Sequence, residues 1–265
     1  MANTASSRIA DLKPGDGYVQ SFARGLQVIR SFSASAPRQT LSEVAERSGL
    51  SRAGARRILL TLEALGYVRS EGKLFSLTPR ILDLGFAYLT SMPIWNLAEP
   101  VMEALVEQVR ESSSAAVLDG TDIVYVLRVH THKIMNISLG VGSRLPAYCT
   151  SMGRILLAGL PDAQVRQCLA ASERKAYTRH TVTDMEDLLG KINQVRRQGW
   201  SLVDQELEEG LISLAAPLTN RAGQTVAAIN ISGQANRTNA KVMQDTMLPP
   251  LLAAAQSISR MLSVS

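Results

Sequence analysis

Arg52, Arg56 and Arg57 crowd three guanidinium groups into one short stretch, and no acid occurs between Arg47 and Glu63 to neutralise them. A guanidinium is a planar fork of fixed donors that matches phosphate oxygens and the acceptor edges of bases, so such a cluster suits a polyanion. The elements that would carry it are legible in residues 40–67, TLSEVAERSGLSRAGARRILLTLEALGY. Thr40 and Glu43 have capping-box spacing, and Leu41, Val44 and Ala45 follow as a narrow apolar stripe. Gly49 stands where a helix end wants a positive φ, and Ser51 is a good N-cap for a second helix. That helix turns Ala55, Ile58, Leu59, Leu62 and Leu65 inward and leaves the arginines outside, near its start. Two helices joined in this way read DNA with the N-terminal part of the second, here Ser51, Arg52, Ala53, Arg56 and Arg57. A solvated helical hairpin with surface arginines is the competing interpretation.

Residues 68–77, VRSEGKLFSL, read as a two-stranded hairpin turning at Gly72. A ribbon directly after a recognition helix is a wing, and Arg69 and Lys73 sit where a wing meets phosphates or the minor groove. Upstream, Phe22, Leu26, Ile29 and Phe32 recur at helical spacing with Arg24 and Arg30 outside, completing a winged module. Charge agrees. Residues 1–95 hold 12 Lys+Arg and 7 Asp+Glu, a net +5, while residues 96–265 hold 16 of each, together the chain's 28 and 23. The whole net charge thus belongs to the winged module, where it would neutralise phosphates and steer encounter. Five charges is modest, so tight binding needs more than one copy of the module.

At 265 residues and 46% hydrophobic, the chain can bury one small and one larger core. No apolar run approaches the ~20 residues of a membrane span, so no membrane partner is expected. Residues 1–17 lack the apolar core of a signal peptide and read as a disordered leader. Cys149 and Cys168 fit a reducing cytoplasm and form no metal spacing; His130 and His132 lack a nearby third ligand. No metal and no cofactor is expected.

The winged module, residues 18–77, is followed by a helix opened by Thr78-Pro79 and stopped by Pro93, giving a linker over 78–95. Its apolar face of Ile81, Leu82, Leu84, Gly85, Tyr88 and Leu89 is wider than the small module needs. A buried linker and a subunit interface both fit; the interface is favoured. Residues 96–265 then alternate helices and strands: a helix from Leu97, a hairpin across Asp119-Gly120, a strand at Ile134–Leu139, and helices near 151–160, 161 onward and 184–198. Strands at 200–204, 212–218 and 225–232 precede a closing helix over 238–263, bent at Pro249-Pro250. A mixed sheet with helices packed round it makes the second domain an α+β sensor-like unit.

These elements, with GSRLPAYCTSMGRILLAGL and DQELEEGLISLAAPLTNRAGQTVAAINISG, resemble the IclR family of bacterial transcriptional regulators over about residues 18–263. RVHTHKIMNISLGVGSRLPAYCTSMGR is most similar to the branch controlling protocatechuate, 4-hydroxybenzoate and β-ketoadipate catabolism. The resemblance implies an N-terminal winged helix-turn-helix joined by a linker helix to a GAF-like effector-binding domain, usually a dimer of dimers on DNA. It implies as partners a double-stranded DNA operator and a small aromatic or dicarboxylic acid, with RNA polymerase a further candidate. It places the ligand against the start of the helix after LPAYCTSMGR, hence Tyr148, Thr150, Ser151, Met152 and Gly153, whose N–H groups could hold a carboxylate.

Arg144 just upstream could pair with a carboxylate bidentately, or stay an exposed loop arginine. Strict alternation along Ile123–His130 puts Val124, Val126, Arg128 and His130 on one face, suited to an aromatic acid. Ser213 with Ala215, and Asn230 with Ala228, pair a small residue with one polar group and leave room for a ligand. Asp204, Glu206, Glu208 and Glu209 read as a solvated or inter-subunit acidic edge, although the family's pattern makes Asp204 and Glu206 ligand candidates. An enzyme built on the second domain finds no support: there is no nucleophile elbow, no Walker A loop, and Gly140-Val141-Gly142 lacks a third glycine. A regulator answering to another small carboxylate remains the alternative.

Overall fold

The computed structural model describes residues 17–91, 94–131 and 139–264. The leader over 1–16, Pro93, His132 and the expected strand at Ile134–Leu139, apart from Leu139, lie outside the described residues. The chain forms two compact units, Met1–Thr90 and Ser91–Ser265. Among the described residues no helix is long and apolar enough to cross a membrane.

In the first unit, α1 (Gln20–Ser31), β1 (Gln39–Thr40), α2 (Leu41–Ser48), α3 (Arg52–Ala64), β2 (Val68–Glu71) and β3 (Leu74–Leu77) form a winged helix-turn-helix with sheet order β1-β3-β2. The capping box closes: the Thr40 side chain accepts from Glu43 N–H while the Glu43 carboxylate accepts from Thr40 N–H at 2.7 Å. These bonds hold the Glu43 carboxyl below its ordinary range. Gly49 ends α2 at φ +64°, a left-handed conformation that a Cβ would strain. Val28, Val44, Ala45, Ala55, Leu59, Leu62 and Val68 are buried together. Three of the expected core residues are not: Phe22, Leu26 and Leu65 are exposed. Leu65 falls outside because α3 ends at Ala64 and the chain turns away at Gly66, φ +80°.

The linker begins as a 3-10 turn, Pro79–Ile81, and continues as α4 (Leu82–Thr90). None of the α4 residues is buried.

In the second unit, α5 (Ile94–Val109) precedes β4 (Ser112–Asp119), β5 (Asp122–Val129), β6 (Arg144–Pro146), α6 (Ser151–Ala158), α7 (Asp162–Ala171) and α8 (Met185–Gln198). Then come β7 (Ser201–Asp204), β8 (Leu211–Thr219), β9 (Thr225–Gln234), a short α9 (Ala240–Val242) and α10 (Leu248–Val264). Ile94 and Trp95, assigned to the linker by sequence, are buried in the first turn of α5. The six-stranded sheet runs β6-β5-β4-β9-β8-β7. Among the described residues every pair is antiparallel, which corrects the expected mixed sheet. Helix α6 packs on one face, and α5 and α10 on the other. The closing helix is interrupted by a π turn at Met243–Met247, just before Pro249-Pro250. Those prolines supply no N–H to the preceding turn, and the wider turn accommodates the loss.

Candidate functional site

On the first unit, the Ser51 hydroxyl accepts from Gly54 N–H at 3.1 Å and fixes the start of α3. Ala55, Leu59 and Leu62 anchor one side of that helix, while Arg52, Ala53, Arg56 and Arg57 stand exposed on the other. Among the described residues none of these three arginines makes an ion pair. Across the hairpin, Arg69 Nε donates to Ser76 Oγ at 3.2 Å and lies 3.6 Å from the Glu71 carboxylate, which also pairs with Arg38. Part of the wing's positive charge is therefore answered locally. Lys73, exposed in the two-residue turn after Gly72, has no such partner among the described residues.

The second unit holds a cavity of about 160 Å³ between the sheet and the start of α6. A void of ~150 Å³ accepts benzene, so the volume suits one ring or a short chain. Strand register explains its floor. Arg128, Ser114, Asn230 and Ala215 pair in one row across β5, β4, β9 and β8, and Ser112, Ser232, Ser213 and Val203 in the next across β4, β9, β8 and β7. Small side chains along both rows leave the space. Asn230 is fixed by its neighbours: Oδ1 accepts from Ser114 N–H and Nδ2 donates to Ser232 Oγ, each at 3.0 Å. The Ser213 and Ser151 hydroxyls join at 2.9 Å, tying floor to helix.

At the start of α6, the Thr150 hydroxyl donates to Pro146 O at 3.0 Å and accepts from Gly153 N–H at 3.2 Å. Gly153 N–H is thus spent on the cap and is not offered to a ligand. The N–H groups of Ser151 and Met152 make no hydrogen bond among the described residues. Gly153 is required here, because a Cβ would overlap the carbonyl of Ala147.

Of the residues singled out from sequence, Arg128, Thr150, Ser151, Met152, Ser213 and Asn230 line the cavity. Arg128 is half-buried, and burial pulls its pKa down. Its Nε donates to His130 Nδ1 at 3.4 Å, and no carboxylate pairs with it among the described residues. His130 itself is exposed and stands off the lining.

Five expectations are corrected. Arg144 does not face the cavity; on edge strand β6 its guanidinium binds Asp119 at 2.6 Å and Asp122 at 3.2 Å, which raise its pKa. Tyr148 is buried and donates its hydroxyl to Lys175 O at 2.6 Å. Asp204 is exposed at the end of β7, off the lining. Glu206 is not part of a solvated edge: it is buried in a bidentate pair with Arg154, at 2.7 and 2.6 Å. The shared face of Val124, Val126, Arg128 and His130 is broken by a register shift in β5, which sets Tyr125 rather than the valines beside Arg128.

Sequence reasoning missed Tyr125, Glu208, and the apolar walls Leu145, Val203, Leu207 and Leu211. Burial pushes the Tyr125 phenol up to about 12, so it stays a donor, and it has no hydrogen-bond partner among the described residues. Cys149, also on the lining, is pushed up to about 12 by burial, which leaves its thiol protonated and unreactive. Among the described residues no cluster of metal-ligating side chains occurs. A concave site whose lining combines Arg128, without a carboxylate partner among the described residues, with Glu208, several neutral donors and apolar walls can bind a small anion at Arg128 and orient it.

Two family models match the chain: the IclR helix-turn-helix domain over residues 21–72 and the bacterial transcriptional regulator IclR C-terminal domain over residues 86–260. The Pca regulon regulatory protein of Pseudomonas putida is 42% identical over 258 residues, 97% of this chain and 89% of its own length. The p-hydroxybenzoate hydroxylase transcriptional activator of Acinetobacter baylyi is 33% identical, with 92% of each chain covered. The crystal structure of an IclR homolog complexed with 4-hydroxybenzoate, from Microbacterium hydrocarbonoxydans, matches with a TM-score of 0.80 at 25% identity, covering 92% of this chain and 100% of that one. With both models matched in order and their helix-turn-helix and cavity-bearing units in place, the chain belongs to the IclR family of bacterial transcriptional regulators.

Proposed function

We propose that this protein regulates an aromatic-acid catabolic operon of the protocatechuate/β-ketoadipate type and answers to a small aromatic or dicarboxylic acid bound in the cavity. The observation that carries it is Arg128, a half-buried guanidinium in a polar-floored, apolar-walled cavity with no carboxylate partner among the described residues. A half-buried cation without a carboxylate partner has lost part of its hydration, and a ligand carboxylate offsets that loss with charge-assisted hydrogen bonds. The N–H groups of Ser151 and Met152, unbonded among the described residues, add donors at a positive helix end. Tyr125 and Ser232 are placed to meet a hydroxyl or keto group, and Met152, Leu207 and Leu211 to cover the carbon frame. The names of the relatives, a Pca regulon regulator and a p-hydroxybenzoate hydroxylase activator, support this chemical class.

On DNA, Arg52 and Arg56 read base edges while Arg57, Arg69 and Lys73 contact phosphates. Assembly is through α4, where Leu82, Leu84, Phe86 and Tyr88 are exposed at 70, 52, 64 and 46%. A helix that apolar on its surface needs a partner, and a second copy would bring two recognition helices to two half-sites. The acid acts by binding one arrangement of the regulator better than another, and no chemical step is involved.

The test is calorimetry with protocatechuate, 4-hydroxybenzoate and β-ketoadipate, followed by mobility shift on DNA upstream of the gene with and without the acid. Micromolar to sub-millimolar binding is expected for at least one acid, and Arg128→Met removes it while leaving ligand-free DNA binding intact. Full binding by Arg128→Met would refute the placement of the carboxylate, and absence of heat with all three acids would refute the chemical class.

A further inference from the structure

Arg154 stands beside the cavity without lining it, with its side chain 3% exposed against 7% for Glu206. Both Nη atoms are committed to the Glu206 carboxylate, and Nε donates to Tyr148 O at 3.0 Å. One guanidinium therefore grips two chain segments. The first, 148–151, supplies Cys149, Thr150 and Ser151 to the cavity, and the second, just after Glu206, supplies Leu207, Glu208 and Leu211.

The second segment is a closed loop. Gln205, at φ +59°, donates its N–H to Leu211 O at 2.7 Å and accepts from Gly210 N–H at 3.0 Å, which pins the loop's ends together. Its outer side is bound to residues 178–182: Thr178 donates to Gln205 O at 2.7 Å, Thr181 to Glu206 O at 2.5 Å, and Val182 N–H to the Glu206 carboxylate at 3.2 Å. Glu206 points into this network and Leu207 into the cavity, so the loop's depth over the cavity follows from where Glu206 is held.

Stability alone does not account for such a pair. Desolvating two charges is expensive, and well-packed apolar residues of similar volume often replace a buried ion pair with neutral or favourable effect. What an apolar pair lacks is the bidentate geometry, which fixes distance and orientation together. We infer that Arg154 and Glu206 are the positioning pair of the effector cavity, holding Leu207 and Glu208 against the start of α6 at the separation that a bound acid spans. Neither residue touches the ligand.

Because the cavity is taken as the effector site proposed above, the experiment keeps the two apart. The full-length wild type and an Arg154→Met/Glu206→Leu double variant are compared by thermal unfolding, by mobility shift on DNA upstream of the gene, and by calorimetry with protocatechuate, 4-hydroxybenzoate and β-ketoadipate. The double variant removes both charges of the pair together, so neither is left without its partner. It is expected to unfold in one cooperative transition near that of the wild type and to bind DNA equally, with affinity for the acid lowered by about tenfold or more. A wild type that binds an acid and a double variant that binds it equally well overturn the positioning role alone. A wild type that binds none of the acids overturns the effector site and the positioning role with it.

Should the double variant fail to fold, Glu206→Gln and Leu207→Ala are measured singly and together. If Glu206 acts by placing Leu207, the two losses of acid affinity are non-additive, whereas a general structural role makes them add and overturns the inference.

Discussion

Tyr125 and Arg128 share one face of β5 although three positions separate them, because Val126 is an extra residue in the ladder. Ala116 pairs with Tyr125 and Ala115 with Leu127, so Val126 has no opposite number and the alternation resets behind it. Ser114 then faces Arg128, on the same side of β4 as Ala116. A phenol donor and a guanidinium are thereby brought onto one cavity wall.

Tyr125→Phe removes the hydroxyl and nothing else. A single net hydrogen bond of about 0.5–1.5 kcal/mol predicts a loss of acid affinity of roughly 2- to 12-fold. The folded pKa of about 12 lies above the ordinary phenol value, so the protonated donor persists through neutral pH and is lost only as pH rises through about 12. Calorimetry on wild type and variant at pH 6 and pH 9 should give the same difference at both. A difference that vanishes at pH 9 would remove Tyr125 from the binding set.

On DNA, Arg52→Ala and Arg56→Ala should each cost about 1–3 kcal/mol on the specific site and much less on random sequence. Lys73→Ala should weaken both equally and flatten the salt dependence by about one unit of slope. Binding measured across a salt series checks both. If neither arginine variant affects the specific site at physiological salt, α3 is not the reading helix.

For assembly, replacing Leu84 and Tyr88 with glutamate should yield a monomer in sedimentation and abolish cooperative binding to DNA. The exposed Phe22 and Leu26 add apolar surface on α1 that a second copy could also cover. A folded wild-type monomer at micromolar concentration would end the proposal.

Gly153→Ala should destabilise the second unit by about 1–3 kcal/mol, the usual cost of overpacking, because the atoms in the way are the Ala147 backbone and cannot swing aside. Denaturant unfolding reads this directly. An unchanged midpoint would mean that the start of α6 is not held as tightly against residue 147 as its contacts imply.

The sequence alone determined what depends on neighbours along the chain. The Thr40–Glu43 box, the Gly49 turn, the Ser51 cap and the hairpin at Gly72 are local hydrogen-bond and φ requirements, and each formed as its spacing demanded. The basic surface of α3 was legible for the same reason: 3.6-residue periodicity fixes which side chains oppose Leu59 and Leu62. On the cavity lining, Ser213 and Asn230 followed from strand parity, and Ser151 from what the family resemblance implied about the start of the helix.

Tertiary structure decided what long-range pairing controls. Nothing in residues 123–130 marks Val126 as the bulged position; β4 sets it by the register it adopts against β5, and with it the choice of Tyr125 over the valines. Arg144 and Arg128 are the same residue type, yet Asp119 and Asp122 engage one, while among the described residues no carboxylate pairs with the other. Glu206 and Glu208 look alike within one acidic run, but Arg154, 52 positions away, draws one into the interior and leaves the other at the cavity. A guanidinium's partner depends on which carboxylate the fold brings within reach, and that proximity exists only once the chain has folded.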